Sequence, residues 1–248
     1  MKKIIARVKK SLRFNDDFEL DVRRTYFRLR TAAGLLGVAL PTVLVAYGLS
    51  NGMAWHKMTS LSSFYWLSLD PPIGADAFLR TWFVSSLIAV GCCLIVYQGY
   101  GRLEDWLLNL AGLAAIVVAL NPMPWRRMHT DPMHVHYISA SIFFLLIAAT
   151  IWFCARDTLP EIRDIKTRAR WNRLYQSFAI AMFIVPGIAF FVSGHHQRTI
   201  WIETAGVWVF SAFWFAKTHE LSRLSRMEPR AEAIPKIRRV AGRLEVTR

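Results

Sequence analysis

Apolar residues in this chain are gathered into long blocks separated by short polar stretches. The clearest block reads HVHYISASIFFLLIAATIWFCAR and runs from His134 to Arg156, with two histidines at its start and a charge at its end. A helix needs about 20 predominantly apolar residues to cross a bilayer, and this block is long enough. Five other blocks have comparable length, and the six predicted spans cover residues 31–50, 81–98, 106–121, 135–155, 174–193 and 200–216. The pattern therefore predicts an all-α polytopic membrane protein with six transmembrane helices.

The composition supports the membrane class. Of the 248 residues, 54% are hydrophobic and 19% are charged, whereas a soluble domain usually has about 45–50% apolar and 25% charged residues. The three cysteines, at 92, 93 and 154, all fall inside the predicted spans, so they do not indicate a redox compartment. The basic start MKKIIARVKKSLRF is not followed by the apolar region of a cleavable signal peptide, and we expect the first span to act as the insertion signal.

The basic residues predict the topology. The formal net charge is +14, and 26 of the 31 Lys and Arg residues fall in segments that the six-span arrangement places on one side of the membrane. The positive-inside rule assigns that side to the cytoplasm, so both termini are predicted to be cytoplasmic and the protein to lie in the inner membrane of the cell. A nucleic-acid partner is excluded because the charge has this topological explanation and no recognition motif accompanies it. The predicted partners are membrane lipids, and a homo-oligomer is left open.

The chain divides into three predicted parts. Residues 1–30 form a basic segment in which apolar residues recur at helical spacing, which indicates an amphipathic helix on an anionic leaflet or a solvated basic tail. Residues 31–217 form the transmembrane domain, and residues 218–248 form a second basic cytoplasmic tail. At the end of the sixth span, Lys217 and His219 are expected to extend to the cytoplasmic surface.

Candidate chemistry is concentrated on the predicted outer side. His136 and Ser139 are three residues apart, so they share one face of the fourth span. Glu203 lies about one turn into the sixth span, and an ionisable residue at that depth marks a functional-site hypothesis.

Three interpretations of these residues remain open. The first is a metal site, most plausibly for zinc, with ligands from His136, His195, His196 and Glu203. The second is a Ser-His-acid arrangement of Ser139, His136 and Glu203 that activates a hydroxyl for acyl transfer, although no GxSxG motif is present. The third is a structural clamp in which His136 and Glu203 satisfy each other between helices.

Three stretches carry a family resemblance: EDWLLNLAGLAAIVVALNP, HVHYISASIFF and WIETAGVWVFSAFWFAKTHEL. They resemble a set of bacterial six-span membrane proteins of unknown function and, more remotely, the DRAM/Sfk-type six-helix proteins. In that wider group a His followed by small residues and Phe opens one span, and a Glu opens the last. The matching residues here are His136, Ala140, Phe143, Phe144 and Glu203.

The resemblance extends upstream, where SLSSFYWLS and RTWFVSSLIAVG place Ser60, Ser63, Tyr65 and Arg80 in the polar positions. It covers roughly residues 30–220 and implies a fold and a location more than an activity. It suggests Arg80 and Tyr65 as residues that contact a substrate or ligand.

Three functional hypotheses follow from the sequence. The leading one is an integral membrane protein with an outward-facing polar pocket that interacts with lipid and is lined by His136, Glu203, Ser139 and Arg80. The second is a membrane-embedded lipid hydrolase, with a metal or Ser139 as the reactive centre. The third is an oligomeric pore or stress effector controlled through the basic tails. A transporter has less support because the sequence shows no inverted repeat.

Overall fold

The computed structural model describes the backbone of residues 2–67, 77–124, 134–195 and 197–227, and side chains from residue 21 to residue 224 within those ranges except that of residue 23. This part of the chain contains seven α-helices and no strand. The helices are α1 (Lys2–Ser50), α2 (Phe64–Leu67), α3 (Phe78–Val96), α4 (Arg102–Leu120), α5 (Val135–Cys154), α6 (Ile165–Val192) and α7 (Arg198–Met227). Two short 3-10 turns, Trp55–Lys57 and Leu159–Glu161, lie in the connections.

Six helices are long and apolar enough to cross a membrane, which confirms the predicted number of spans. The candidate spans are Arg24–Ser50, Phe78–Val96, Arg102–Leu120, Val135–Glu161, Ile165–Val192 and Arg198–Leu224. They begin or end up to nine residues away from the predicted limits, because helices continue into polar sequence that an apolar-block criterion leaves out.

The predicted limits of the transmembrane domain do not coincide with helix ends. Helix α1 is continuous across residues 30 and 31, where the sequence suggested a boundary between a basic segment and the first span. Helix α7 likewise continues past Lys217 to Met227. The basic tail beyond residue 227 lies outside the described residues.

The six long helices pack in chain order as a closed ring. Helix α1 contacts α3, each helix from α3 to α7 contacts the next, and α7 contacts α1 again. The short helix α2 packs on α3. The connections between the long helices therefore alternate between the two ends of the bundle, as expected for antiparallel neighbours.

The outside of the ring is apolar. Trp106 is 67% exposed, Leu145 58% and Phe191 83%, although each belongs to a long helix. Helix α6 is the least enclosed, with 17% of its most apolar stretch buried against 33–44% for the other spans. Apolar surface of this extent is unfavourable in water and is what a bilayer covers. The fold is that of a multi-pass membrane protein.

Helices α3 and α4 come unusually close together. A Cβ atom built on Gly112 would lie 2.5 Å from the carbonyl oxygen of Gly91, and one built on Gly91 would lie 2.7 Å from that of Gly112. Small residues at such a crossing let two backbones approach, which is a common way to associate helices in a membrane. The glycine pair therefore sets the distance between these two helices.

Candidate functional site

One end of the bundle is closed by the connection between α1 and α3, and we call this end the capped end. The backbone N–H of Ile200, in α7, donates a hydrogen bond to the carbonyl of Thr59 at 3.0 Å. The indole Nε1 of Trp66 donates to the carbonyl of Met123, just after α4, at 2.8 Å. Residues 58–67, which we call the capping segment, are thus held against both sides of the ring, and most of their side chains are buried.

Glu203 anchors this connection to α7. The Ser60 hydroxyl donates its one proton between the two carboxylate oxygens, which lie 3.0 and 2.9 Å from Ser60 Oγ, and the backbone N–H of Leu61 donates to Oε2 at 2.6 Å. A carboxylate within a membrane span is costly unless it is hydrogen-bonded, and two donors engage both of its oxygens here. The partners of Glu203 are therefore provided by the capping segment.

His136 is bonded through both ring nitrogens. Its Nδ1 lies 2.7 Å from the carbonyl oxygen of Asn121, and its Nε2 lies 2.8 Å from the hydroxyl oxygen of Ser62. A carbonyl oxygen only accepts, so the proton of the neutral imidazole must be on Nδ1. Nε2 is then an acceptor, and the Ser62 hydroxyl donates to it.

His136 owes its place to the start of α5. His134 is the N-cap residue of this helix, and its Nδ1 accepts a hydrogen bond from the backbone N–H of His136 at 3.2 Å. The HVH sequence therefore has two roles, since the first histidine caps the helix and the second points into the bundle, where it is 2% exposed.

The structure brings His136 and Glu203 to the same end but not into contact with each other. Both bind the capping segment, His136 through Ser62 and Glu203 through Ser60 and Leu61. The interpretation in which His136 and Glu203 bond directly to each other is wrong, because the capping segment lies between them and bonds to both.

Ser139 is buried, at 8% exposure, one turn along α5 from His136. No hydrogen bond joins it to His136 or Glu203 in the described part of the chain, so the Ser139–His136–Glu203 arrangement expected from the sequence is not assembled. The serine that meets the imidazole is Ser62.

Of the four residues suggested as zinc ligands, the three that the structure describes do not converge. His195 is exposed at the turn between α6 and α7, and His196 lies outside the described residues. Within the described ranges, no group of three or more His, Cys, Asp or Glu side chains is placed to hold a metal ion. His136 is instead bonded to Asn121 and Ser62, and Glu203 accepts from Ser60 and Leu61.

Arg80 and Tyr65 contact each other at the capped end. The Nε of Arg80 donates a hydrogen bond to the Tyr65 carbonyl at 3.3 Å, and the guanidinium lies 4.7 Å from the centre of the Tyr65 ring. Arg80 thereby ties the start of α3 to the end of the capping segment, and a cation over an aromatic face adds to that attachment.

A cavity of about 50 Å³ lies below the capping segment. Side chains of α1, α3, α4, α5 and α7 form its walls, and Ser62 and Glu203 are the polar residues among those lining it. The apolar walls include Phe83, Val118 and Phe143. By the volume that a buried water needs, the cavity has room for about three to five water-sized groups.

The opposite end holds a second polar cluster, centred on the ion pair Lys217–Glu220. The Nζ of Lys217 lies 2.7 Å from Glu220 Oε2, and the two side chains are 4% and 1% exposed. Lys217 also donates to Thr158 and to the Ala155 carbonyl, and Glu220 accepts from Thr158 and from the Tyr175 hydroxyl. His219 is exposed as expected, but the prediction that Lys217 reaches the surface is wrong because Glu220 holds it inside.

Arg30 is the most deeply buried large cation of the described residues, at 1% exposure. It donates hydrogen bonds to the Tyr97 hydroxyl and to Thr218, and its guanidinium lies 4.4 Å from the centre of the Trp214 ring. It therefore joins α1, the end of α3 and α7 in one contact.

Two tyrosines in the loop between α3 and α4 stay protonated at neutral pH. Burial raises the pKa of Tyr97 well above its usual range, an effect that the nearby Arg30 charge opposes. Partial burial and a hydrogen bond to Glu161 raise the pKa of Tyr100 to about 12. Both hydroxyls therefore serve as neutral hydrogen-bonding groups at this end.

The sequence did not single out Ser62, Asn121, Glu220 or Arg30 as site residues. Ser62 lies in the run SLSS, where nothing in the spacing distinguishes one serine from the next. One feature of the sequence could have pointed to this segment: the serine run is followed directly by aromatic residues, although it lies in a connection between two spans. Asn121 contributes only its backbone carbonyl, which the sequence does not specify.

Comparison with known proteins returned no relative: no family model, no curated protein and no solved structure matches this chain.

Proposed function

We propose that this protein is an integral membrane protein of the inner membrane, with cytoplasmic termini, whose capped end faces outward and binds the acyl chain of a membrane lipid. The observation that carries the proposal is the cavity below the capping segment, with apolar walls and a polar end at Ser62 and Glu203. Small-molecule sites have this character, being mostly apolar with a few placed polar groups. A lipid is the apolar molecule that is always available inside a membrane.

The hydrogen bonds of the capping segment support this proposal. The capping segment is held at three points of the ring: by Glu203, by His136 and by the Met123 carbonyl, to which Trp66 of the segment donates. An acyl chain that enters between the helices would therefore meet a fixed polar surface at the end of the cavity. The volume suits a short segment of a chain, such as the few carbons next to the ester.

The proposed topology predicts which introduced cysteines a membrane-impermeant maleimide reaches in intact cells. The three native cysteines are free thiols and are first replaced by alanine. His56→Cys, at an exposed position in the connection between α1 and α3, is expected to react in intact cells. Arg223→Cys, on an exposed position near the end of α7, is expected to react only after permeabilisation. The reverse pattern would overturn the assignment of the capped end to the outside.

Lipid binding is tested with a phosphatidylethanolamine that carries a diazirine within a few carbons of the ester of one acyl chain. After irradiation, we expect crosslinks to residues that line the cavity, located by peptide mass spectrometry. Ala140→Phe places a large side chain into the lining and is expected to reduce the crosslink at least fivefold. Ile142→Phe is the matched control, because residue 142 is on the same helix but 44% exposed on the outside.

Crosslinks confined to the outer surface of the ring, or an equal yield in both variants, would contradict the lipid-binding proposal. Thermal unfolding of each purified variant is the control for misfolding. A reduced crosslink yield is assigned to the filled cavity when the variant unfolds at the same temperature as the wild type.

A further inference from the structure

We infer that Ser62 and His136 form a nucleophile–base pair that accepts the acyl group of a lipid ester. The inference rests on the proposed lipid site and deepens it, since it names the chemistry available at the polar end of the cavity.

The hydrogen bonds of His136 give the pair the required protonation state. The Asn121 carbonyl keeps the proton on Nδ1, so Nε2 has a free lone pair directed at the Ser62 hydroxyl, 2.8 Å away. This is the relation between base and nucleophile in serine hydrolases, where a third group orients the imidazole. A backbone carbonyl provides that orientation here.

The position of Ser62 favours chemistry on a lipid. Ser62 lines the cavity, while its own side chain is 5% exposed and His136 behind it is 2% exposed. An acyl chain that occupies the apolar part of the cavity would place its ester carbonyl near the polar end. Holding reactants in this way converts a bimolecular reaction into an effectively unimolecular one.

Ser62 differs from its two serine neighbours in the same segment. The Ser60 hydroxyl donates to the Glu203 carboxylate, and the Ser63 hydroxyl donates to the Ser60 carbonyl at 2.6 Å. Of these three serines, Ser62 is the one bonded to an imidazole. Glu203 already anchors the segment through Ser60 and Leu61, so the Ser62–His136 bond is not needed to attach it.

The reaction is an acyl transfer in two steps. In the first, Ser62 Oγ forms a bond to the ester carbonyl carbon and its proton passes to His136 Nε2. The bond to the alcohol oxygen then breaks, and that oxygen takes the proton from Nε2, which leaves an acyl-Ser62 ester. In the second, a water or another alcohol attacks the acyl carbon, gives its proton to Nε2, and Ser62 leaves with that proton. The net change is ester plus water to acid plus alcohol, or transfer of the acyl group to the second alcohol.

A fluorophosphonate with a long alkyl chain tests this inference on the full-length protein in membranes. Such a probe loses fluoride as an activated serine oxygen attacks phosphorus. We expect one adduct per chain, located on Ser62 by peptide mass spectrometry. Ser62→Ala is expected to abolish the adduct, and His136→Asn to lower its rate of formation at least a hundredfold.

Two serine variants serve as controls. Ser63→Ala removes a buried hydroxyl from the same segment, and Ser139→Ala removes the serine that the sequence suggested as nucleophile. Both are expected to keep the Ser62 adduct at the wild-type rate. If the wild-type protein is not labelled, or if Ser62→Ala is labelled at the same rate, the nucleophile assignment is overturned.

The diazirine and fluorophosphonate experiments separate this inference from the proposed function. Cavity crosslinks without a Ser62 adduct would retain the lipid site and reject the nucleophile. A Ser62 adduct without cavity crosslinks would retain a reactive serine and reject the lipid-chain site, and with it acyl transfer from a lipid. A purely structural role for the Ser62–His136 bond predicts loss of thermal stability in Ser62→Ala, with no adduct in the wild type.

Discussion

Replacing Glu220 with alanine is expected to lower the free energy of unfolding by about 3–5 kcal/mol, because the change leaves the Lys217 ammonium buried without its counter-ion. The pair is almost completely enclosed, at 4% and 1% side-chain exposure. Lys217 would keep the Ala155 carbonyl and the Thr158 hydroxyl as partners, and neither carries a charge. The measurement is an SDS titration of the purified protein in mixed micelles, with helix content read by circular dichroism.

The control for this prediction is the pair Arg24–Asp21, which has the same i,i+3 spacing in α1. Its atoms are 3.2 Å apart, but its side chains are 68% and 71% exposed. Asp21→Ala is expected to cost less than about 1 kcal/mol, since exposed pairs contribute little. The double change Lys217→Ala and Glu220→Ala is expected to cost less than the sum of the single changes, because neither charge is then left alone. Additive single effects would show that the two side chains act independently.

Substitution of Gly112 by alanine is expected to destabilise the protein by about 1–3 kcal/mol, the usual cost of forcing atoms into a well-packed interior. The new Cβ would lie 2.5 Å from the backbone oxygen of Gly91 and 2.8 Å from the Ile95 side chain. A backbone oxygen cannot rotate away as a flexible side chain can. Helices α3 and α4 must therefore separate, and we expect a lower midpoint in the same SDS titration.

Gly187 provides the matched control for Gly112. It lies inside α6, and a Cβ added there would meet no atom within 4 Å. Because glycine is a poor helix residue, Gly187→Ala is expected to leave stability unchanged or raise it by up to about 1 kcal/mol. Equal losses for the two substitutions would mean that the close approach of α3 and α4 does not limit stability.

The two ends of the bundle use polar groups in different ways. At the end that holds Lys217, opposite charges neutralise each other inside the protein, and neutral tyrosine and threonine hydroxyls complete their hydrogen bonds. At the capped end, the partners of His136 and Glu203 are hydroxyl and backbone groups. The first arrangement joins opposite charges across the packed helices, whereas the second leaves a serine that is bonded to an imidazole in the wall of a cavity.

The membrane class and the number of spans were determined by the sequence alone. A bilayer requires a run of about 20 apolar residues, and that requirement can be checked in a linear sequence without knowing any tertiary contact. The sequence also predicted that His136 and Glu203 lie at the same end of the bundle, since each is near the start of a span and the two spans run in the same direction.

Only the tertiary structure decided which polar groups meet. One of the interpretations of the sequence paired His136 with Ser139, three residues away, but its hydroxyl partner is Ser62, which is 74 residues distant in the chain. Lys217 was expected at the surface, but Glu220 lies on the same face of α7 and neighbouring helices enclose both. The physical reason is that hydrogen bonds and ion pairs depend on distances of about 3 Å. Those distances depend on how the helices and their connections pack against one another, which the pattern of apolar residues along the chain does not determine.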